Sequence, residues 1–284
     1  MPFWRQSKLN QDIIVQLQAL ADKYECAAFM EQDPSRVLQR YTKTQDLEVA
    51  AFISAMLAFG RRDLFLPKID FILELADVQG GPFHWLITGQ HQKDFPPAGV
   101  SAADSFYRFY SYHDLHLLFG RLEEILQESG SFGSYFHHKY IESQKSQPQV
   151  HLSQLVSQSF PQCKIVPKGK NSANKRVQMF LRWMVRQNSP VDVGLWNWYS
   201  PADLLIPLDT HVIRQSVELG LLCATSNKGN SPSVASSASN ARKLTEVLAQ
   251  IWPEDPCKGD FALFGLGIDK AQENPFNHLS SCYL

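Results

Sequence analysis

Apolar residues recur at helical spacing along most of the chain. Leu9, Ile13, Ile14, Leu17, Leu20 and Tyr24 fall on one face and predict a first amphipathic helix. Asp33-Pro34 marks a loop. Thr44 is placed to cap a second helix with Asp46 and Glu48 in its first turn, and from Val49 to Phe59 apolar residues occupy nearly every side, as in a helix buried all round. Gly60 should end it, and Arg61-Arg62-Asp63 leads into an apolar helix from Leu66 to Leu75. Gly80 to Ser105 is rich in Gly, Pro and short polar residues and reads as irregular, with one short helix around His84 to Thr88.

Leu115, Leu117, Leu118, Leu122, Ile125 and Leu126 predict a helix started near Asp114 and ended at Gly130; Ser131 to Tyr140 adds a turn or two, and Ser143 to Pro148 reads as a connection. Further on, Val177, Phe180, Leu181, Met184 and Val185 form the apolar face of a helix that resumes near Ser172. Thr210 to Leu219 should be a helix closed by Gly220, and another runs from Ala241 to Trp252. Phe261 to Gly267 reads as a buried helix end or tight turn. The Ser-rich stretch 225–240 predicts a flexible loop. Period-two alternation is never sustained, so the expected fold class is all-α.

Composition narrows the classes. The chain has 284 residues, of which 44 % are hydrophobic and 19 % charged, enough to build a core and too apolar for a disordered protein. That length suits one large domain or two closely packed halves. Five scattered cysteines without a C-x-x-C pair argue against a zinc site, an iron–sulfur cluster or a disulfide framework, so no metal or other cofactor is expected, and they favour a reducing compartment. The first 20 residues lack a signal-peptide pattern, and no run approaches the roughly 20 apolar residues that span a bilayer, so a cytoplasmic protein with no membrane partner is expected. No feature demands an obligate protein partner.

The formal net charge of −1 conceals a local asymmetry. Between Glu142 and Asp192 there is no acidic residue, whereas Lys145, Lys164, Lys168, Lys170, Lys175, Arg176, Arg182 and Arg186 all occur. A polyanion is the natural partner of such a segment; a solvated basic face is the alternative. Lys164 to Lys170, with Pro167 and Gly169, reads as a loop before a helix start, where backbone N–H groups around Gly169 and Ser172 can hold a phosphate. Arg61 and Arg62 either touch the same backbone or form a solvated charge pair. Lys175 lies in the first helical turn among like charges, which favour the neutral, nucleophilic amine. Asp209 precedes Thr210 as an N-cap, and the same carboxylate is suited to stabilising positive charge on a sugar. His211 and Arg214 share that helix. Trp183, Trp196, Trp198, Tyr199 and Phe264, and the group Phe106, Tyr107, Phe109, Tyr110 and Tyr112, are either core or faces on which a base could stack.

The run Leu208-Asp209-Thr210-His211-Val212, preceded by Ile206-Pro207 and paired with a lysine after a hairpin-like segment, resembles the helix-hairpin-helix (HhH-GPD) DNA glycosylases. Val166-Pro167-Lys168-Gly169-Lys170 stands where that superfamily has apolar-Pro-Gly-apolar-Gly, and the interval from Lys175 to Asp209 is longer than usual, as in the archaeal 8-oxoguanine glycosylase branch. Ser172 to Arg176, Leu181 to Arg186 and Phe261 to Gly267 are similar to an uncharacterised bacterial family of the same fold, over roughly residues 10–268. The resemblance implies a single two-lobed helical unit with a cleft, its lobes near 30–150 and 151–284, with 1–29 packed on the second. It implies excision of a damaged base from double-stranded DNA, an oxidised purine such as 8-oxoguanine by analogy, with Asp209 and Lys175 catalytic and AP lyase activity through the lysine. Lys168, Gly169, Lys170, Ser172, Arg176, Arg182, His211, Arg214, Arg61 and Arg62 would then contact DNA, and the protein would associate with the nucleoid when bound. A non-catalytic DNA-binding protein that keeps the fold is the competing expectation.

Overall fold

The computed structural model describes residues 9–31, 33–147, 149–223 and 234–273. They form twelve α-helices, three short 3-10 turns and one small hairpin. No described helix is long and apolar enough to cross a membrane.

Helix α1 (Gln11–Tyr24) is capped by Asn10, whose side chain accepts from the Asp12 N–H at 3.0 Å. Helix α2 (Thr44–Leu57) is buried from Asp46 to Leu57 and forms the centre of the first core, as its all-round apolar pattern requires. Its N-cap is Lys43, one residue before the expected Thr44, because Asp46 is turned away to accept from the Phe83 N–H. Helix α3 (Arg62–Val78) starts a turn before the expected Leu66, since Arg61 and Asp63 pair across its first turn at 2.5 Å. Next come α4 (Pro82–Ile87), α5 (His91–Asp94), β1 (Ser105–Tyr107), β2 (Tyr110–Ser111) and α6 (Tyr112–Ser129), which Ser111 caps in a reciprocal box with Asp114 and Gly130 ends in the left-handed conformation. The described residues are mostly helical, in keeping with the all-α expectation, and the hairpin is the one strand pair among them. Its strands are only three and two residues long, too short for alternation to register.

Helix α7 (Phe132–Ser146) is longer than the turn or two expected, because Glu48 of α2 anchors its start. The Glu48 carboxylate accepts from the Phe132 and Gly133 N–H groups at 3.0 and 2.9 Å and from Trp196 Nε1 at 2.7 Å. Burial raises its pKa above the usual carboxylate value, against the pull of these three donors. Then follow α8 (Leu152–Gln158), which sequence periodicity does not reveal, α9 (Lys175–Val185), α10 (Thr210–Glu218), α11 (Ala238–Leu248) and α12 (Lys258–Glu273). Phe261 to Gly267 lies inside α12 and is neither a helix end nor a turn. Of the expected Ser-rich loop, 225–233 lies outside the described residues, and 238–240 is the first turn of α11.

Two apolar clusters organise the molecule. The first runs from Val37 to Leu204 and also takes in Cys257; at its centre Phe52 stacks on Phe160 at 4.9 Å and meets Phe132 and Phe180 edge-on. The second joins Leu17, Leu20 and Ala21 of α1 to Ala173, Ile206, Leu208 and the apolar faces of α10, α11 and α12. Helices α8 and α9 send Val156, Val177, Phe180 and Trp183 into the first cluster, and a third, small cluster of Met30, Val191 and Phe261 lies beside the two. Helix α1 lies along α12, where Gly265 lets the Tyr24 ring approach the helix backbone.

Candidate active site

The segment joining α8 to α9 is a compact loop with two left-handed residues, Gly169 (φ 67°) and Asn174 (φ 54°). A Cβ on Gly169 would meet the Asn174 amide at 2.6 Å, so that side chain needs a glycine there. Asn174 itself is buried and donates through Nδ2 to Ser157 Oγ at 2.9 Å. The loop is stapled to the segment that leads into α11: the Ala173 N–H donates to Ser236 O at 3.2 Å, and the Ala238 N–H donates to Asn171 O at 2.9 Å. This bracing fixes where α9 begins, and Lys175 is its first residue.

Asp209 caps α10 as its sequence position predicts. Oδ1 accepts from the His211 and Val212 N–H groups, each at 2.9 Å, which orients the carboxylate and leaves Oδ2 to a second partner. That partner is Lys175, whose Nζ lies 2.8 Å from Oδ2. Lys175 was expected among like charges; its nearest charge is instead this carboxylate. Burial would raise the Asp209 pKa, yet the Lys175 charge and hydrogen bond and the Val212 N–H outweigh it and hold the carboxyl below the usual aspartate range. The group stays ionised at neutral pH.

Helix α12 closes the site from the other side. Asp260 is largely buried and hydrogen-bonded to Arg182. Burial pushes its pKa up to about 6; Arg182 and Lys175 oppose that rise, and the neighbouring Asp209 charge adds to it. One turn later Phe264 is half-buried with the Arg62 guanidinium 5.6 Å above its ring, and Arg62 lies 3.7 Å from Asp33. The seam between the two large apolar clusters therefore gathers the pair Lys175–Asp209, a second carboxyl and the half-buried Phe264 ring.

Several expected DNA contacts lie elsewhere. Arg182, 4 % exposed, pairs with Asp260 and Asp192 and sits 4.5 Å over the Phe261 ring, so it ties α9 to α12 from a buried position. Lys168 donates its ammonium to the carbonyls of Phe160, Pro161 and Cys163 at 2.8, 2.7 and 3.4 Å, which locks the loop from within. Arg176 is half-buried, hydrogen-bonded to Met56 O and, at 3.2 Å, to Tyr110 OH. Lys164 pairs with Asp114 at 2.8 Å. Arg61, Arg62, Lys170, Ser172, His211 and Arg214 are exposed. Ser172 is also engaged in a backbone bridge to Ser237. Trp183, Trp196 and Tyr199 are core; Trp198 stacks on Trp196 and His137. Among the aromatics considered, Phe109 is exposed, and Phe264 is half-buried under Arg62. Asp260 was missed because its role depends on a contact with Arg182, 78 residues away in sequence. Among the described residues no group of three or more metal-ligating side chains occurs.

A family model described as "Protein of unknown function (DUF2400)" matches residues 33–269, which include every side chain of this seam. No curated protein and no solved structure matches the chain significantly.

Proposed function

We propose that this chain, which belongs to the DUF2400 family, is a DNA glycosylase with associated lyase activity that acts on a damaged base in double-stranded DNA, an oxidised purine such as 8-oxoguanine by analogy. The observation that carries the reading is the 2.8 Å approach of Lys175 Nζ to Asp209 Oδ2, with each residue at a helix start on a different lobe. Asp209 is fixed by two backbone amides and ionised, which suits it to face the positive charge that develops on deoxyribose as the C1′–N bond breaks and its electron pair leaves with the base. Lys175 then supplies the amine that bonds C1′, and the proton it gives up passes by way of Asp209 to the departing base. Ring opening yields an imine between lysine and C1′. Loss of a C2′ proton expels the 3′ phosphate and breaks the strand. Phe264, beside Arg62, offers a face on which the extruded base can stack. A cytoplasmic location with nucleoid association follows from this activity.

One observation favours a second reading, a non-catalytic DNA-binding protein: Asp209 is already satisfied as a cap and an ion pair without any substrate. Borohydride trapping on duplexes carrying 8-oxoguanine, uracil or an abasic site separates the two. A covalent adduct that disappears in Lys175→Gln, with base release slowed on the order of 10²-fold or more in Asp209→Asn, is the expected result. Adducts that survive Lys175→Gln would refute the assignment of the nucleophile. Salt-sensitive binding without adduct or base release on any of the three would leave the non-catalytic reading.

A further inference from the structure

Most aromatic side chains of this molecule are buried, but Phe109 is 63 % exposed. It occupies the two-residue turn between β1 and β2 with Arg108, which adopts φ 52° although it is not glycine. Such a conformation costs on the order of 1 kcal/mol and persists only where the surroundings enforce it. Here they do. Ser105 Oγ donates to Arg108 O at 3.0 Å, Tyr107 OH donates to Phe59 O at 2.6 Å, and the Arg108 guanidinium lies 5.4 Å over the Phe59 ring. The Phe109 ring is braced from beneath by Phe59 and Tyr110 at 5.2 and 4.7 Å. Gly60 makes room for the tip, since a Cβ there would come within 2.4 Å of Arg108 Nη1.

The tip is also next to the candidate active site. Phe59 and Tyr110, which support Phe109, are the residues on which Arg176 rests, and Arg176 directly follows Lys175. On the far side of Gly60 the exposed Arg61 and Arg62 open α3. A rigidly presented apolar ring framed by guanidinium groups matches a ligand that alternates phosphate charge with flat apolar faces. Duplex DNA has that chemistry, and apolar side chains that enter a base step stabilise its unstacked form.

We infer that Phe109 inserts into the base stack at the nucleotide whose base is extruded toward Lys175 and Asp209, with Arg108 set against the flanking phosphate. This inference rests on the glycosylase reading but concerns recognition and not bond breaking, so it is tested without turnover. Binding is measured to a duplex with a tetrahydrofuran abasic analogue and to the intact duplex of the same sequence, with 2-aminopurine opposite the gap. Phe109→Ala should weaken binding to the gapped duplex about tenfold while intact-duplex affinity changes less than about twofold, the 2-aminopurine emission rise should be lost, and Phe109→Trp should restore both. Unchanged circular dichroism and melting of Phe109→Ala would show that the loss is not one of folding. Equal affinity of wild type and Phe109→Ala for the gapped duplex, or equal weakening on both duplexes, would overturn the insertion. Because lysine trapping on a pre-formed abasic site is read independently, insertion can fail while the catalytic reading stands, and the reverse.

Discussion

At the scale of single residues, the seam joins two carboxyl groups whose surroundings push them in opposite directions. Asp209 is held below the usual aspartate range, whereas Asp260 is raised to about 6, by burial first and then by the charge of Asp209. The consequences for stability differ in sign. The folded value of Asp260 lies above its ordinary 3.8, so this residue makes the fold more stable as pH falls from about 6 toward 3.8; the depressed Asp209 contributes stability that is present above its ordinary value and lost as pH falls through its folded one. Asp209→Asn should bring the Asp260 midpoint below about 6, which carboxyl carbon NMR across pH 3 to 8 would read directly. An unmoved midpoint would mean that the two carboxyls do not interact across the seam. Asp209 was legible in the sequence because an N-cap is a local signal, an acceptor just before an apolar-periodic run. Asp260 was not, since nothing within α12 distinguishes it from a solvated first-turn acid.

Among the elements, the same contrast separates helices read correctly from those misread. The core helix α2 and the amphipathic α1, α6 and α9 carry their own periodicity, and their boundaries fell within a few residues of expectation. Helix α8 is only seven residues long, and α12 has glycines at 265 and 267 that mimic a terminus. Tertiary packing explains Gly265: a Cβ there would lie 2.0 Å from the Tyr24 ring, so the glycine exists to seat α1 against α12. An exposed helix would gain from Gly→Ala by up to about 1 kcal/mol. Here the added methyl should instead cost about 1–3 kcal/mol through overpacking, lowering the melting temperature by several degrees. Tyr24→Ala should abolish the penalty in the double variant, and a Gly265→Ala protein as stable as wild type would rule out the close packing of α1 on α12.

For the molecule as a whole, part of the basic charge between residues 142 and 192 is answered within the fold, by Asp192 at the end of that segment and by acids from elsewhere in the chain. Arg186 pairs with Glu25 after α1 at 2.8 Å, with Asp192 at 2.5 Å and with Asp255 before α12 at 2.7 Å, while Arg182 beside it takes Asp192 and Asp260. Both guanidinium groups flank the Phe261 ring, at 4.5 and 5.2 Å. This buried network bolts α9, packed in the first core, to the end of α1 and the start of α12. The distance from Lys175 to Asp209 depends on it, since one residue belongs to α9 and the other caps α10. A buried pair adds little net stability compared with an apolar replacement of the whole network, but removing one partner strands the others. Arg186→Met leaves Asp192 fully buried and short of a partner, so it should cost about 3–5 kcal/mol. With the bolt gone, the two large apolar clusters should also lose their coupling. Urea unfolding, followed by tryptophan fluorescence for the Trp-rich first core and by far-ultraviolet circular dichroism for all helices, should give coincident transitions in the wild type and separated ones in Arg186→Met. Coincident curves at the wild-type midpoint would show that the two clusters are held together by apolar contacts alone and that the arginines only fill space between them.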